Sequence, residues 1–104
     1  MINEFSQAFD TPDARAIVDA LWSSWPVVST LRPADVGMAD TPERAIGFIK
    51  TVQQLSDAGF VSYEAFVVGM AGPRVVEATL TARGRALLGM WMNAEREPQI
   101  ARRA

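Results

Sequence analysis

Residues 59–88 constrain the fold more than any other stretch of the chain. Two apolar runs meet at Gly69, Met70, Ala71, Gly72 and Pro73, and the second passes straight into a helix start. The glycines permit positive φ and the proline opens the return strand without needing a ladder donor, so the runs read as a β-hairpin. Alternation assigns the faces. Val61, Tyr63, Ala65 and Val67 share one side of the first strand and Val76, Ala78 and Leu80 one side of the second, with Ser62, Glu64, Glu77 and Thr79 opposite them. The apolar sets are expected to point inward. Thr81 stands where an N-cap belongs, its hydroxyl placed to accept from a free amide of the first turn. Gly84, three residues on, is expected to let the helix start lie close to the sheet.

Upstream, Thr11 precedes a helix with Pro12 in its first position and Asp13 near its positive end. Ala14, Ile17, Val18, Leu21 and Trp22 give it an apolar stripe, and Trp25-Pro26 ends it. The β-branched run 27–31 reads as a small strand, and Pro33, Ala34, Asp35 and Val36 as a short helix closed by Gly37. A second long helix is expected over residues 41–58, capped by Thr41 and stopped by Gly59. Its core stripe is Ala45, Phe48 or Ile49, Val52 and Leu55, leaving Arg44, Gly47, Thr51 and Gln54 along one outward line and Glu43, Lys50, Gln53 and Asp57 beside it. A last helix over residues 82–95 would bury Leu87, Leu88, Trp91 and Ala94. Residues 1–10 form a lead-in with Phe5 and Phe9 available to pack, residues 11–97 a single domain, and residues 98–104 a flexible tail. A chain of 104 residues supports one core burying roughly two-thirds of its extended surface.

Composition excludes several classes of function. There is no histidine and no cysteine, which removes the commonest general base, the commonest metal ligand, thiolate sites and disulfides. Gly69 to Gly72 lacks the Lys-Ser/Thr of a phosphate loop and leads into a strand. The expectation is a protein that is not an enzyme, with no catalytic residue, no metal and no cofactor. No apolar run approaches a membrane span, and the opening Met1, Ile2, Asn3, Glu4 and Phe5 lack the basic and apolar regions of a signal peptide, so a cytoplasmic protein without membrane contact is expected. Net charge is −2, with seven acids against four bases in residues 1–50 and five against six in residues 51–104. Nine of the ten bases are arginine, suited to bidentate contact with phosphate, guanine or carboxylate.

The order helix, short strand, short helix, long helix, hairpin, helix resembles the winged-helix form of the helix-turn-helix. Leu80-Thr81-Ala82-Arg83-Gly84-Arg85-Ala86-Leu87-Leu88 is similar to the Leu-Thr-x-x-Gly-x-x-x-Leu element that follows the wing in many winged-helix transcriptional regulators of bacteria. Leu55-Ser56-Asp57-Ala58-Gly59-Phe60-Val61 resembles the segment leaving their recognition helix. The similarity spans roughly residues 11–95. It implies an α+β, winged-helix-like fold with three to four helices and a β-hairpin wing in the C-terminal half, residues 41–58 as recognition helix and 69–74 as wing tip.

Two functions follow from that resemblance. As a DNA-binding regulator of transcription the chain would contact the duplex through Arg44, Lys50, Thr51, Gln54 and Arg74, Arg44 with guanine and Gln54 with adenine, each worth about 1–3 kcal/mol of discrimination. As a protein-interaction or assembly module it would use the wing, where Met70, Ala71 and Pro73 stand beside a single Arg74. Arg83 and Arg85 lie in the first turn of the last helix, where positive charge opposes the dipole by about 0.3–1 kcal/mol, a cost that an acidic partner or phosphate would offset. Trp22, Trp25 and Trp91, at helical spacing among Leu and Val, read as core or dimer interface. Leu87, Leu88, Met90, Trp91 and Met92 cover more of the last helix than one small core can face, which predicts a homodimer through Leu87 and Trp91, with Met70 as a further partner contact.

Overall fold

A computed structural model describes residues 9–38 and 41–103, with side chains to residue 93. Three α-helices pack on one face of an antiparallel sheet. The chain runs α1 (Pro12–Ser24), β1 (Ser29–Leu31), a 3-10 turn (Pro33–Val36), α2 (Pro42–Asp57), β2 (Val61–Ser62), β3 (Ala65–Gly69), β4 (Gly72–Leu80) and α3 (Ala82–Arg103). The described residues therefore hold three α-helices, and the short helix after β1 is a 3-10 turn closed by Gly37 at φ 76°. β4 is the central strand, with β1 on one edge and β2 and β3 in succession along the other. No helix among the described residues is long and apolar enough to cross a membrane.

The helix starts follow from local chemistry. Thr11 and Thr41 each accept a hydrogen bond from an amide of the first turn, Ala14 N–H at 3.1 Å and Arg44 N–H at 3.2 Å, and each is followed by proline. Thr81 does the same for α3, accepting from Gly84 N–H at 3.1 Å while its hydroxyl donates to the Gly59 carbonyl. Gly84 is buried, and a Cβ there would lie 2.0 Å from the Phe60 carbonyl oxygen, so only glycine admits this approach of α3 to the end of α2. Gly59 itself turns the chain out of α2 at φ 82°. α3 runs on through Pro98 to Arg103, beyond the end expected near Glu95.

One core joins all layers. Ile17, Val18 and Leu21 of α1, Phe48, Val52 and Leu55 of α2, Val75, Ala78 and Leu80 of β4, and Leu87 and Trp91 of α3 are buried together. Each large apolar side chain so enclosed contributes about 1.5–3 kcal/mol. Of the two candidates in α2, Phe48 fills the core and Ile49 is only partly covered. Phe9 packs its ring edge-on to Phe60, with centroids 5.1 Å apart. Phe5 and the side chain of Ala94 lie outside the described residues.

The hairpin departs from simple alternation. Ser29 faces Ala78 and Leu31 faces Val75, so β4 holds one residue more than β1 between the same two pairs. This is a β-bulge, and Glu77 within it adopts φ 53°. The bulge shifts parity by one, so the inward residues of β4 are Pro73 and Val75 before it and Ala78 and Leu80 after it, and Val75 takes the place expected for Val76. The facing strand is interrupted at Tyr63 and Glu64. Beyond that break Phe66, paired with Val75, packs against the core in place of Val67. Its ring meets Tyr63 edge-on at 4.9 Å.

Candidate functional site

The hairpin ends in a two-residue turn, Met70 and Ala71, between the paired Gly69 and Gly72. Gly72 takes φ 97°, a conformation that favours glycine. The turn projects past the core, so Met70 is fully exposed and Val68 largely so. It stands beside the start of α2, where two adjoining clefts open. One, about 170 Å3, is lined by Arg32, Pro33, Met38, Thr41, Ala45 and Pro73. The other, about 300 Å3, lies between Thr41, Pro42 and Ala45 and the turn itself.

The residues expected to contact DNA do not converge on this site. Arg44 lies on the flank of α2 next to α1, where its Nη2 donates to Asp13 Oδ1 at 2.8 Å. Thr51, on the same flank, donates its hydroxyl to the Gly47 carbonyl of its own helix at 2.8 Å. The line Arg44, Gly47 and Thr51 is thus partly covered, whereas Glu43, Ile46, Lys50, Gln53, Gln54 and Asp57 are exposed. Lys50 and Gln54 remain available on that open face. Arg74 alternates with inward Pro73 and Val75, so its side chain leaves from the sheet face turned away from the helices.

Electrostatics follow the same division. The open face of α2 carries one base, Lys50, against Glu43 and Asp57. On the hairpin, a hydrogen bond with the Glu64 side chain, together with the charge of Glu64, raises the Glu77 carboxyl above its ordinary range. Arg74 is the one base between Phe60 and Thr81. Neither surface has the clustered positive charge that neutralises several phosphates. Among the described residues no three acidic side chains gather in a way that could hold a metal ion.

The surface proposed from sequence on α3 is relocated by burial. Leu87 and Trp91 are 2% and 1% exposed within a single chain, so they belong to the core and cannot meet a partner. Trp22, expected in the stripe of α1, is instead 48% exposed and stacks on Trp25, with ring centroids 5.7 Å apart and planes 22° from parallel. The guanidinium of Arg85 lies 4.6 Å from the Trp25 ring centroid, and that of Arg83 lies 5.3 Å from Phe60. These aromatic faces offset the unfavourable position of both arginines at a helix start. Cation–π contacts over such sequence separations leave no local signal; the exposure of Trp22 was foreshadowed only by its place at the edge of the α1 stripe.

Compared with known proteins, the chain matches no family model, no curated protein and no solved structure.

Proposed function

We propose that this chain is a non-enzymatic, winged-helix-like binding protein that engages another protein through its hairpin tip and the open face of α2. One observation carries the reading: a fully exposed Met70 at the end of a short, paired hairpin, beside a cleft against the start of α2. Val68 on the hairpin is exposed too, as is Ile46 one helical turn along α2 from Pro42 of the cleft, and methionine adapts well to the shape of a partner. The clefts beside it are lined mainly by apolar side chains, with Arg32 as the one charged residue, so the complementary surface is an apolar segment.

DNA-linked transcriptional regulation is the second reading. It draws on the element order and on a hairpin that flanks an exposed helix carrying Lys50 and Gln54, the arrangement with which winged helices approach a duplex. A photo-crosslinking residue at position 70, introduced in cells, separates the two. The protein reading expects a discrete protein adduct that disappears when Ile46→Asp is added, because that change places a charge in the apolar contact. Adducts to DNA, or duplex binding in fluorescence anisotropy whose salt dependence weakens on Lys50→Ala, would overturn it in favour of the regulator.

A further inference from the structure

The two edges of the sheet are protected unequally. β1, at one edge, has three residues, pairs with the bulged part of β4 and runs directly into Arg32 and Pro33. Short length, a bulge, charge and proline are the devices that keep an edge from pairing with another chain. β3, at the other edge, has none of these between Ala65 and Gly69. Its residues Ala65, Phe66, Val67, Val68 and Gly69 carry no charge and no proline and keep an unbroken register with β4, the one strand that pairs with β3 among the described residues. That register fixes which backbone groups are free. A two-residue turn closes on a hydrogen-bonded pair, so Gly69–Gly72, Val67–Arg74 and Ala65–Val76 exchange bonds, and Phe66–Val75 and Val68–Pro73 do not. Pro73, which has no N–H, falls in a pair of the second kind, as this assignment requires. Phe66 and Val68 therefore turn their N–H and C=O groups outward along the free edge. Val68 shares the helix-facing side with Phe66 and is 72% exposed at the end of that row.

We infer that β3 pairs antiparallel with β3 of a second copy, about a two-fold axis at Val67, and so joins the two four-stranded sheets into one. Three observations select a second copy. The first is backbone: the edge takes an extended segment that offers N–H and C=O at alternate residues and brings neither charge nor proline. The chain's own β3 is such a segment, and β4 already holds it extended, so it loses little entropy on docking. The second is register. With Val67 opposite Val67, Phe66 of each copy meets Val68 of the other in a bonded pair, which gives roughly four N–H···O=C bonds and sets each Phe66 ring beside an exposed Val68. Glu64 then falls opposite Met70 of the second copy, so no like charges face each other along the paired strands. The third is closure: each copy has one open edge and one protected edge, so the pairing stops at two chains and does not grow into a filament.

Light scattering and sedimentation over low to high micromolar protein test this directly. The wild-type mass should rise with concentration toward twice the 11.4 kDa of one chain. Over the same range the Phe66 and Val68 amides should exchange with deuterium about tenfold more slowly, as they acquire partners. Val68→Pro removes one outward N–H and leaves the β4 ladder whole, so it should keep the wild-type melting curve and hold the single-chain mass. Val67→Lys and Val67→Glu each set like charges opposite one another at the axis and should weaken the dimer about tenfold, whereas an equimolar mixture of the two should recover it as a mixed pair. A wild-type mass that stays at one chain at the highest concentration overturns the inference. So does a dimer that persists in Val68→Pro and Val67→Lys, or a mixture of the two charged variants that associates no better than either alone. Ile46→Asp on α2 should leave the dimer intact, so this pairing and the hairpin-tip reading fail separately.

Discussion

Replacement of Gly84 by alanine is the smallest change that tests how α3 is seated. The added Cβ would stand 2.0 Å from the Phe60 carbonyl oxygen and 3.0 Å from both the Phe60 carbonyl carbon and Leu80 Cδ2. Carbon and oxygen approach comfortably only to about 3.3 Å, so helix and backbone must part by roughly 1.3 Å. The obstacle is main chain and cannot rotate aside. That movement also pulls on the Thr81 hydroxyl bonds and on the bond from Thr81 N–H to the same Phe60 carbonyl, each worth about 0.5–1.5 kcal/mol net. Overpacking and weakened bonds together outweigh the roughly 1 kcal/mol by which alanine ordinarily improves a helix, leaving a net loss of about 3 kcal/mol. In urea melts the midpoint should fall by about 1–3 M, and the thermal midpoint by roughly 15 °C. Gly47→Ala and Gly89→Ala are the controls, since a Cβ at either meets nothing within 4 Å and should stabilise by up to about 1 kcal/mol. A Gly84→Ala midpoint equal to wild type, or raised like the controls, would refute the close approach.

Thr81→Ala should cost about 1–2 kcal/mol in the same melts, because it removes the cap and leaves the Gly59 carbonyl without that donor, while Thr81→Ser should keep most of the stability. Arg44→Ala should cost under about 1 kcal/mol, since its ion pair with Asp13 is substantially exposed; a larger loss would mean that the pair, and not the core, holds α1 to α2. Glu77 has a raised pKa, so its protonated form is favoured by folding and its contribution to stability is lost as pH rises through the folded value. Glu77→Gln should therefore be more stable than wild type near neutrality, and the difference should vanish in acid; a gain independent of pH would exclude the Glu64 repulsion as its cause. Glu77→Gly should raise the midpoint further, by relieving φ 53° in the bulge.

Much of the fold is legible because its determinants are local. Thr11, Thr41 and Thr81 announce the three helix starts by a hydroxyl at the right offset from an apolar stripe, and Gly37 and Gly59 mark two turns by a conformation that other residues disfavour. The 3.6-residue period finds Ile17, Val18, Phe48, Val52 and Leu55 for the same reason. The bulge is different. Glu77 is neither glycine nor asparagine, so nothing local signals its positive φ, which is set by the need to bring Val75 and Ala78 to one face of β4. A single extra residue then reverses the parity of everything before it, and strict alternation selects Val76 and Val67 where Val75 and Phe66 are used.

Surface residues are legible only after their tertiary partners are known. Arg44 looks free in the sequence because Asp13 is distant along the chain, and Arg85 looks costly because the Trp25 ring that receives it is farther still. Trp22 and Trp91 show why periodicity alone cannot separate core from interface. Both recur at helical spacing among apolar residues, yet Trp91 is buried in the common core with the Arg15 guanidinium of α1 over its ring, and Trp22 sits half-exposed at the rim of α1. The stripe of a helix records which residues must leave water without recording whether the cover comes from the same chain. On α3 the chain's own core covers Leu87 and Trp91, whereas Trp22, Trp25, Val27 and Val28 stay exposed at the α1–β1 corner.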